Sequence, residues 1–381
     1  MRVLFIPCGI GMGHASRSLA VAQKLQEKGC EVLFASYGAG YDFLKEFTQF
    51  NVVKIPEIKF YGVVGEFNLK YTAKKSIDAP FTFLKSIYSE SKIIKDFQPD
   101  VVVSDSHYSV PITCKVLGVP CVLITNELTF NFTDIYPQDR TMEYLENGLQ
   151  RFISDASKLS KAIIIPDIDG SQIIPPKIKE KVIYTGPLLK RDPNLMPSRE
   201  ELRKLSGFDN SQTIVMATVG GTWFGAKLLN LLSEAAEMVN TQQIIMVTGP
   251  QIDISSLKPS PKITVKRFLG DMMGLMQMSD LVVTLAGHTT SMELASLGVR
   301  NLMIPIENHH EQMKNALNMQ SHGISQIRQM NGLSSSKLAD DINNLLESEY
   351  LMNGASLTKK KFSQYHGTRE AVRIIMRCAQ E

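Results

Sequence analysis

The chain has 381 residues, more than a single hydrophobic core usually supports, so two domains are expected. Its 44% hydrophobic and 21% charged residues are typical of a globular protein, and no apolar stretch is long enough to cross a bilayer, which excludes an integral membrane protein. A net charge of +3 without a dominant basic cluster argues against a dedicated nucleic-acid binder, and five cysteines without the close pairing of zinc sites favour a reducing cytoplasm.

The first residues predict a strand, a glycine-rich turn and a helix. The strand runs from Val3 to Pro7, the turn from Gly9 to Gly13, and the helix from Ser16 to Lys28. No glycine stands three residues after Gly11, so the turn is not the dinucleotide fingerprint of a dehydrogenase. His14 lies on this mobile turn beside a strand end, which is a suitable place for a catalytic base.

A second strand of the first half ends in a carboxylate. The apolar run from Asp100 to Asp105 precedes a helix from Ser109 to Leu117 and a strand from Cys121 to Thr125. Ligands gather at the carboxyl ends of strands in doubly wound sheets, so His14 and Asp105 are expected to converge. The alternative for Asp105 is a helix-capping residue, because Asp is common at N-cap positions.

The segment that precedes the strand from Asp100 to Asp105 departs from the alternation of strands and helices. From Ile58 to Lys95, aromatic residues are interleaved with lysines. Such a pattern predicts a segment that lies on an anionic membrane surface, with rings at the headgroups and lysines on the phosphates. The alternative is an ordinary amphipathic helix with a solvated lysine face.

A proline-rich connector from residue 187 to residue 198 marks the predicted domain boundary. The first domain is predicted over residues 1–186 and the second over residues 199–364. Residues 365–381 predict a C-terminal helix, with arginines at helical spacing.

The second domain repeats the pattern of strand, glycine turn and helix. A strand from Thr213 to Ala217 leads to Gly220, Gly221 and Thr222, and a helix is predicted from Ala226 to Asn240. Two glycines and a hydroxyl let backbone N–H groups approach a pyrophosphate, although a plain tight turn would also fit.

The stretch from Ser279 to Ala316 contains two such units in succession. Its first strand, Leu281 to Leu285, is followed by a turn from Ala286 to Ser291 that holds His288, Thr289 and Thr290, and a helix is predicted from Met292. The free N–H groups and hydroxyls at this helix start favour a phosphate. Glu293, assigned to the first helical turn, either suits the helix dipole or accepts two ribose hydroxyls.

These residues resemble a known family. Gly287, Thr290 and Glu293, then Pro305, Glu311-Gln312 and Asn315-Ala316, are similar to the donor signature of GT-B nucleoside-diphosphate-sugar glycosyltransferases, both the MurG-like type (family 28) and the plant-type UDP-glycosyltransferases. The plant type has His, and the MurG-like type Arg, where this chain has Leu285.

The resemblance implies a GT-B fold, with two doubly wound, Rossmann-like α/β domains that face a central cleft. The first domain would bind the acceptor, the second would bind the donor, and the C-terminal helix would cross back to the first. Glu293 would hold the ribose, and Glu311 and Gln312 would bind the sugar hydroxyls. The phosphates would be bound by the turn from Gly220 to Thr222 and by residues Gly287 to Thr290. The uracil ring would be bound by Phe268-Leu269.

The implied function is an inverting hexosyltransferase that moves a hexosyl or N-acetylhexosaminyl group from a UDP-sugar to an acceptor hydroxyl, including one on a lipid. His14 would be the base and Asp105 its partner. No metal-ligand cluster is visible in the sequence, so neither a metal nor another cofactor is expected. Two alternatives are a nucleotide-sugar 2-epimerase that uses Asp105 and Glu127, and a non-catalytic nucleotide-sugar-binding subunit. The expected location is the cytoplasm, peripherally on the inner face of the membrane.

Overall fold

The computed structural model describes residues 1–57, 62–63, 66–67, 79–129, 139–221, 223–249, 251–267 and 270–380. The chain divides into two compact units. The first consists of Met1–Tyr61, Lys70–Lys190 and Tyr365–Glu381, and the second of Gly62–Leu69 and Arg191–Gln364. Gly62–Leu69 thus belongs with the second unit, whereas the predicted first domain ran without interruption over residues 1–186.

The strands of the described residues are, in chain order, β1 (Arg2–Pro7), β2 (Glu31–Ser36), β3 (Asn51–Lys54), β4 (Gly62–Val63), β5 (Glu66–Phe67), β6 (Val101–Asp105), β7 (Cys121–Ile124), β8 (Ala162–Ile165), β9 (Val182–Tyr184), β10 (Ile214–Thr218), β11 (Gln243–Val247), β12 (Ile263–Lys266), β13 (Leu281–Thr284), β14 (Asn301–Met303) and β15 (Ser325–Ile327).

The α-helices are α1 (Gly13–Glu27), α2 (Gly38–Phe47), α3 (Ala79–Phe97), α4 (Val110–Leu117), α5 (Arg140–Lys158), α6 (Arg199–Leu205), α7 (Ala226–Ala235), α8 (Met272–Met278), α9 (His288–Leu297), α10 (His310–Ser321), α11 (Ser335–Glu347), α12 (Glu349–Phe362) and α13 (Gly367–Gln380).

The first unit is built on a seven-stranded parallel sheet in the order β3-β2-β1-β6-β7-β8-β9. Its central strands are apolar runs without alternation, such as Val101 to Val103 and Ile163 to Ile165, and these residues are fully buried. That pattern is typical of parallel strands covered on both faces by helices. The order reverses between β1 and β6, so a crevice for a ligand is expected at the carboxyl ends of these two strands.

The second unit has a six-stranded parallel sheet in the order β12-β11-β10-β13-β14-β15. Here the order reverses between β10 and β13, and the loops that follow these two strands carry the predicted phosphate-binding glycines. Leu285, just after β13, is buried in the hydrophobic core. Leu285, which stands where the plant-type family has His and the MurG-like family has Arg, is therefore packed inside the protein.

Two helices begin earlier than the sequence predicts. α1 begins at Gly13 instead of Ser16, and α9 begins at His288 instead of Met292. Neither has a side chain that caps its first turn, because Met12 and Gly287 hold the N-cap positions. A helix without a capping Ser, Thr, Asp or Asn gives no start signal in the sequence.

The predicted helix from Ala226 to Asn240 ends as an α-helix at Ala235 and continues as a 3-10 turn over Ala236–Met238. The predicted C-terminal helix is present as α13, which belongs to the first unit and packs against α1 there. Gly367 at its start lies so close to the backbone of Gly186 that a Cβ atom would come within 2.4 Å of the Gly186 carbonyl oxygen.

Candidate active site

His14 and Asp105 meet at the switch point of the first sheet. β1 and β6 are neighbours, with Pro7 opposite Asp105, so the loop after β1 starts beside the end of β6. His14 lies in the first turn of α1, and its Nδ1 is 2.9 Å from Oδ1 of Asp105, which is 91 residues away in the sequence. The Asp105 side chain is completely buried and the His14 side chain is 20% exposed. A buried carboxylate thus holds one nitrogen of a ring that solvent and substrate can reach.

Asp105 is held as an anion. Burial alone would raise its pKa, but the charge and hydrogen bonds of Arg17, and to a smaller extent His14, lower the pKa of Asp105 to about 2. Nε of Arg17 donates to Oδ2 of Asp105 at 2.7 Å, Nη2 of Arg17 donates to Oδ1, and Ser18 Oγ donates to Oδ2 at 3.1 Å. The N-cap of the following helix α4 is Ser109, so Asp105 does not cap that helix.

Sequence reasoning missed Arg17, which is only 2% exposed and lies one helical turn after His14. Besides Asp105 it binds Asn126, just after β7, through a hydrogen bond of 2.8 Å from Nη1 to Oδ1. The sequence signal that could have identified Arg17 is its place between Ala15 and Leu19, two apolar residues of α1 that are also buried. A buried guanidinium requires an anionic partner, and Asp105 is that partner.

A second buried polar cluster lies beside this pair. His107 follows β6, and its Nε2 is 3.5 Å from Oε1 of Glu90 on α3. Ser109 and Thr113 each donate a hydrogen bond of 2.5 Å to the Glu90 carboxyl group. Burial lowers the pKa of His107 to about 4 and raises the pKa of Glu90, so both groups favour their neutral forms.

Glu127, the other carboxylate of the epimerase alternative, follows β7 and is half-buried. Its backbone is fixed by its neighbours, because the Glu127 carbonyl oxygen accepts from Tyr108 Oη at 2.8 Å and from Thr125 Oγ1 at 3.0 Å. Asp105, which would have to exchange protons in that mechanism, is fully buried and bound by Arg17. The arrangement suits an orienting role for Asp105 better than a proton-transfer role.

In the second unit, the loop after β10 carries the predicted pair of glycines. Gly220 has a φ of 72°, in the left-handed region that glycine adopts without strain. Gly249 lies against it, because a Cβ atom there would come within 2.4 Å of the Gly220 carbonyl oxygen. Gly221 is buried, and the predicted site residue Thr222 lies outside the described residues.

The loop after β13 brings the predicted phosphate-binding residues to the start of α9. Gly287 is the N-cap of α9, and no side chain caps the helix. Thr289 and Thr290 are half-buried in this first turn, and His288 is buried. The sequence had suggested that these residues form a turn before the helix, but in the structure they belong to the helix itself.

Glu293 does not lie in the first turn of α9, which contains no acidic residue. The early start of the helix at His288 moves Glu293 into the second turn, and its side chain is only 9% exposed. The expectation of a helix-start carboxylate that interacts with the dipole is therefore wrong, because the dipole effect falls off within the first turn. A buried carboxylate at this position is better explained by a ligand or a specific polar partner.

Helix α10 carries the remaining predicted residues. Glu311 and Gln312 are half-buried in its first turn, where His309 is the N-cap. Oε1 of Gln312 accepts a hydrogen bond of 2.8 Å from the Ile306 N–H, so this side chain also holds the preceding loop. The predicted uracil-binding residues Phe268 and Leu269 lie outside the described residues.

Asn315 connects this helix to the loop after β13. Its Nδ2 donates a hydrogen bond of 3.0 Å to the carbonyl oxygen of Ala286. Ala286 has a φ of 64°, a left-handed conformation that alanine rarely adopts. Asn315 therefore stabilises a strained turn at the residue directly before the Gly287 N-cap.

Comparison with known proteins identifies the family. Residues 214–367 match the glycosyltransferase family 28 C-terminal domain. A protein of Methanosarcina mazei named as an uncharacterized glycosyltransferase is 30% identical over 339 residues, which cover 86% of this chain and 85% of the relative. The chain belongs to the family 28 glycosyltransferases.

Two further similarities support this assignment. This chain is 24% identical over 341 residues to a protein of Staphylococcus epidermidis, and the match covers 88% of this chain and 87% of the relative. The relative is named UDP-N-acetylglucosamine--N-acetylmuramyl-(pentapeptide) pyrophosphoryl-undecaprenol N-acetylglucosamine transferase. The crystal structure of MurG from Acinetobacter baumannii matches with a TM-score of 0.65 at 21% identity over 99% of both chains. The predicted GT-B fold and the predicted glycosyl-transfer activity are confirmed.

The described part of this glycosyltransferase has neither a membrane-spanning helix nor a metal-binding group of side chains. None of its described helices has both the length and the apolar character needed to cross a membrane. Among the same residues, no group of three or more His, Cys, Asp or Glu side chains is arranged to hold a metal ion.

Proposed function

We propose that this glycosyltransferase moves a hexosyl or N-acetylhexosaminyl group from a UDP-sugar to an acceptor hydroxyl and inverts the anomeric configuration. The observation that carries the proposal is the 2.9 Å contact between His14 Nδ1 and Asp105 Oδ1. With its Nδ1 proton donated to the carboxylate, a neutral His14 ring has a lone pair on Nε2. That nitrogen is free to act as a general base on an acceptor hydroxyl.

The reaction is a single displacement. Nε2 of His14 takes the proton of the acceptor hydroxyl while the acceptor oxygen forms a bond to the anomeric carbon. The bond between that carbon and the phosphate oxygen breaks, and UDP leaves with the electron pair. Attack from the face opposite the leaving group inverts the configuration. Asp105 orients the ring and offsets the positive charge that His14 gains.

The proposed diphosphate site is formed at the switch point of the second sheet. The start of α9, at the positive end of its dipole, and the turn at Gly220 and Gly221 would face the diphosphate, which gains charge as it leaves. The hydroxyls of Thr289 and Thr290 would add donors. Charge compensation by these groups requires no metal ion and no other cofactor.

Two carboxylates and an amide give the proposed selectivity for the sugar nucleotide. Glu293 would accept both ribose hydroxyls, and Glu311 with Gln312 would bind the hydroxyls of the transferred sugar. Phe268 and Leu269 would contact the uracil ring. The proposal of UDP as the carrier is supported by the Staphylococcus epidermidis relative, whose name specifies a UDP-linked donor.

The acceptor side is proposed to lie at an anionic membrane surface, on the cytoplasmic side. On α3, Phe81, Leu84 and Tyr88 are exposed and share one helical face with Lys85, Lys92 and Lys95. Phe83 packs edge-on against Phe152 of α5 at 5.6 Å between centroids, and Tyr144 of α5 is exposed as well. Rings beside lysines suit an interface rich in anionic headgroups, and thus an acceptor carried on a lipid. The rest of the predicted segment, residues 58–78, lies largely outside the described residues.

The donor is tested by calorimetry with UDP, dTDP, GDP and a panel of UDP-hexoses and UDP-N-acetylhexosamines. The proposal predicts that UDP binds more tightly than dTDP and GDP, and that transfer continues in the presence of EDTA. Equal affinity for the three nucleotides, or complete loss of activity with EDTA that magnesium restores, would contradict it.

The reaction type is tested by incubating each UDP-sugar with and without acceptor and following the anomeric protons by nuclear magnetic resonance. Inverting transfer predicts a β-linked product from an α-linked donor, with at most slow hydrolysis when no acceptor is present. Formation of an epimeric sugar without acceptor would instead support the epimerase, and binding without any turnover would support the non-catalytic subunit.

A further inference from the structure

The side-chain nitrogen of His14 that faces Asp105 has two neighbours. Oδ1 of Asp105 lies 2.9 Å from Nδ1, and Nη2 of Arg17 lies 3.0 Å from the same atom. A carboxylate only accepts hydrogen bonds and a guanidinium only donates them. Nδ1 can therefore satisfy only one of the two: with a proton it donates to Asp105, and without one it accepts from Arg17.

The choice between these states decides which nitrogen of His14 is basic. If Arg17 donated to Nδ1, the neutral ring would carry its proton on Nε2, and that nitrogen could not take a proton from an acceptor. Arg17 has two acceptors on Asp105, since its Nε donates to Oδ2 at 2.7 Å and its Nη2 donates to Oδ1. Bidentate pairing of this kind is strong and fixes the plane of the carboxylate. An unprotonated Nδ1 would face Oδ1 at 2.9 Å as a second acceptor, whereas a protonated Nδ1 donates to this anion.

We propose that Arg17 is a positioning residue of the transfer reaction: it fixes the Asp105 carboxylate so that Oδ1 accepts from Nδ1 of His14. The proposal rests on the proposed role of His14 as the base. It goes beyond a histidine paired with a carboxylate, because it makes a third residue responsible for the tautomer of the base.

The charges around Asp105 support this role. Arg17 and Asp105 form a buried ion pair, so the carboxylate remains an anion that can accept from Nδ1 of His14. His107, the other titratable ring near His14, has its pKa lowered to about 4, chiefly by burial, and so adds no positive charge near neutral pH. Ser18 and Asn126, which bind the same ion pair, are uncharged.

The tautomer is measured directly on the protein without substrate. Histidine labelled with nitrogen-15 distinguishes a protonated from an unprotonated ring nitrogen by chemical shift, and a His14→Gln variant assigns the signal among the seven histidines. The proposal predicts a proton on Nδ1 and none on Nε2 near pH 7.5. The opposite tautomer would overturn it. Because no donor is needed, this result is independent of whether the donor is a UDP-sugar.

The positioning effect is measured with Arg17→Gln and Arg17→Lys. Both variants lose the bidentate contact with Asp105, so we expect the transfer rate to fall in both, together with the share of His14 rings that carry the proton on Nδ1. In both variants the Michaelis constant for the donor should stay within about twofold, because the donor is bound by other residues.

Arg203 provides a matched control in the second unit. It is also 2% exposed and pairs with a carboxylate, Asp280, so Arg203→Gln causes a similar loss of a buried ion pair. We expect this variant to lose stability without any change in the nitrogen-15 signals of His14 or in the transfer rate. If a folded Arg17→Gln protein behaved in the same way as Arg203→Gln, Arg17 would be a purely structural residue. If Arg17→Gln did not fold, the comparison of Arg17→Lys with the wild type, and the tautomer of the wild type, would still decide the proposal.

Discussion

At the residue scale, the first unit couples a basic ring to a carboxylate that remains ionised. Asp105 has no exposed surface, and the charge and hydrogen bonds of Arg17, with a smaller contribution from His14, lower its pKa to about 2 against the opposing effect of burial. The strand-end rule predicted that His14 and Asp105 would lie together. It did not predict Arg17, because its contact with Asp105 spans 88 residues and depends on the orientation of one side chain on α1. The catalytic roles of His14 and Asp105 stay predictions until activity is measured.

His107 gives a prediction on stability. Burial lowers its pKa to about 4, whereas a histidine in an unfolded chain has a pKa of about 6.5. Between these values the unfolded chain binds a proton that the folded protein does not, so this contribution to stability is complete above about pH 6.5 and is lost as the pH falls toward 4. The loss amounts to about 3 kcal/mol.

Urea unfolding at pH 7.5, 5.5 and 4.5 measures this effect in the wild type and in His107→Gln. The wild type should lose more stability across this range than the variant does. Glu90, whose raised pKa acts in the opposite direction, is present in both proteins. An identical loss in the two proteins would show that His107 is not buried in its neutral form.

Glu293 gives a prediction on donor binding. Replacing Glu293 with Gln removes a charged acceptor of ribose hydroxyls, and we expect UDP affinity to fall by about 1.5 to 3 kcal/mol while the fold is retained. Glu347→Gln, at the exposed end of α11 in the same unit, is the control with the same chemical change. Calorimetry that gives equal UDP affinity for both variants would exclude the ribose contact.

At the scale of elements, the predicted strands and glycine loops agree with the structure better than the helix starts do. Helix α1, which carries His14, and helix α9, which carries the proposed phosphate-binding residues, lack capping side chains, and both start earlier than predicted. A helix that starts without a capping side chain gives no start signal in the sequence. The sequence is thus least informative about the starts of these two helices.

The contact between α10 and the loop after β13 gives a prediction on UDP binding. Asn315→Ala removes the hydrogen bond that holds Ala286 in its left-handed conformation, which costs alanine about 1 to 2 kcal/mol. We expect the turn to relax and UDP affinity to fall several-fold. Adding Ala286→Gly removes the strain and should restore part of the affinity. A double variant that binds UDP no better than Asn315→Ala would show that backbone strain is not the reason for the loss.

The exposed face of α3 gives a prediction on membrane binding. Changing Lys85, Lys92 and Lys95 to Glu reverses the charge beside the exposed rings, and each lysine near an anionic surface contributes about 1 kcal/mol. The variant should no longer sediment with vesicles rich in phosphatidylglycerol. A control with Lys337, Lys360 and Lys361 changed to Glu alters the net charge equally on exposed helices of the second unit. Equal loss in both variants, or none in either, would exclude this face as the specific binding surface.

At the scale of the whole molecule, the βα repeat and the donor signature were sufficient to predict the GT-B fold. Each sheet has one position where the strand order reverses, between β1 and β6 and between β10 and β13, and the predicted site residues follow these strands or belong to the elements next to them. The assignment of Gly62–Leu69 to the second unit was not predictable, because nothing in the local sequence specifies a long-range association. The identity of the sugar depends on the orientation of Glu311 and Gln312, which residue spacing does not determine.

The transfer rate of His14→Ala, measured together with its UDP affinity, shows whether His14 performs the chemistry while donor binding depends on other residues. We expect the rate constant to fall by about a hundred- to ten-thousand-fold, the usual contribution of a general base, with UDP affinity nearly unchanged. His366→Ala, which removes an exposed histidine, serves as the control and should retain the wild-type rate. A folded His14→Ala protein that binds UDP and transfers sugar at close to the wild-type rate would contradict the account.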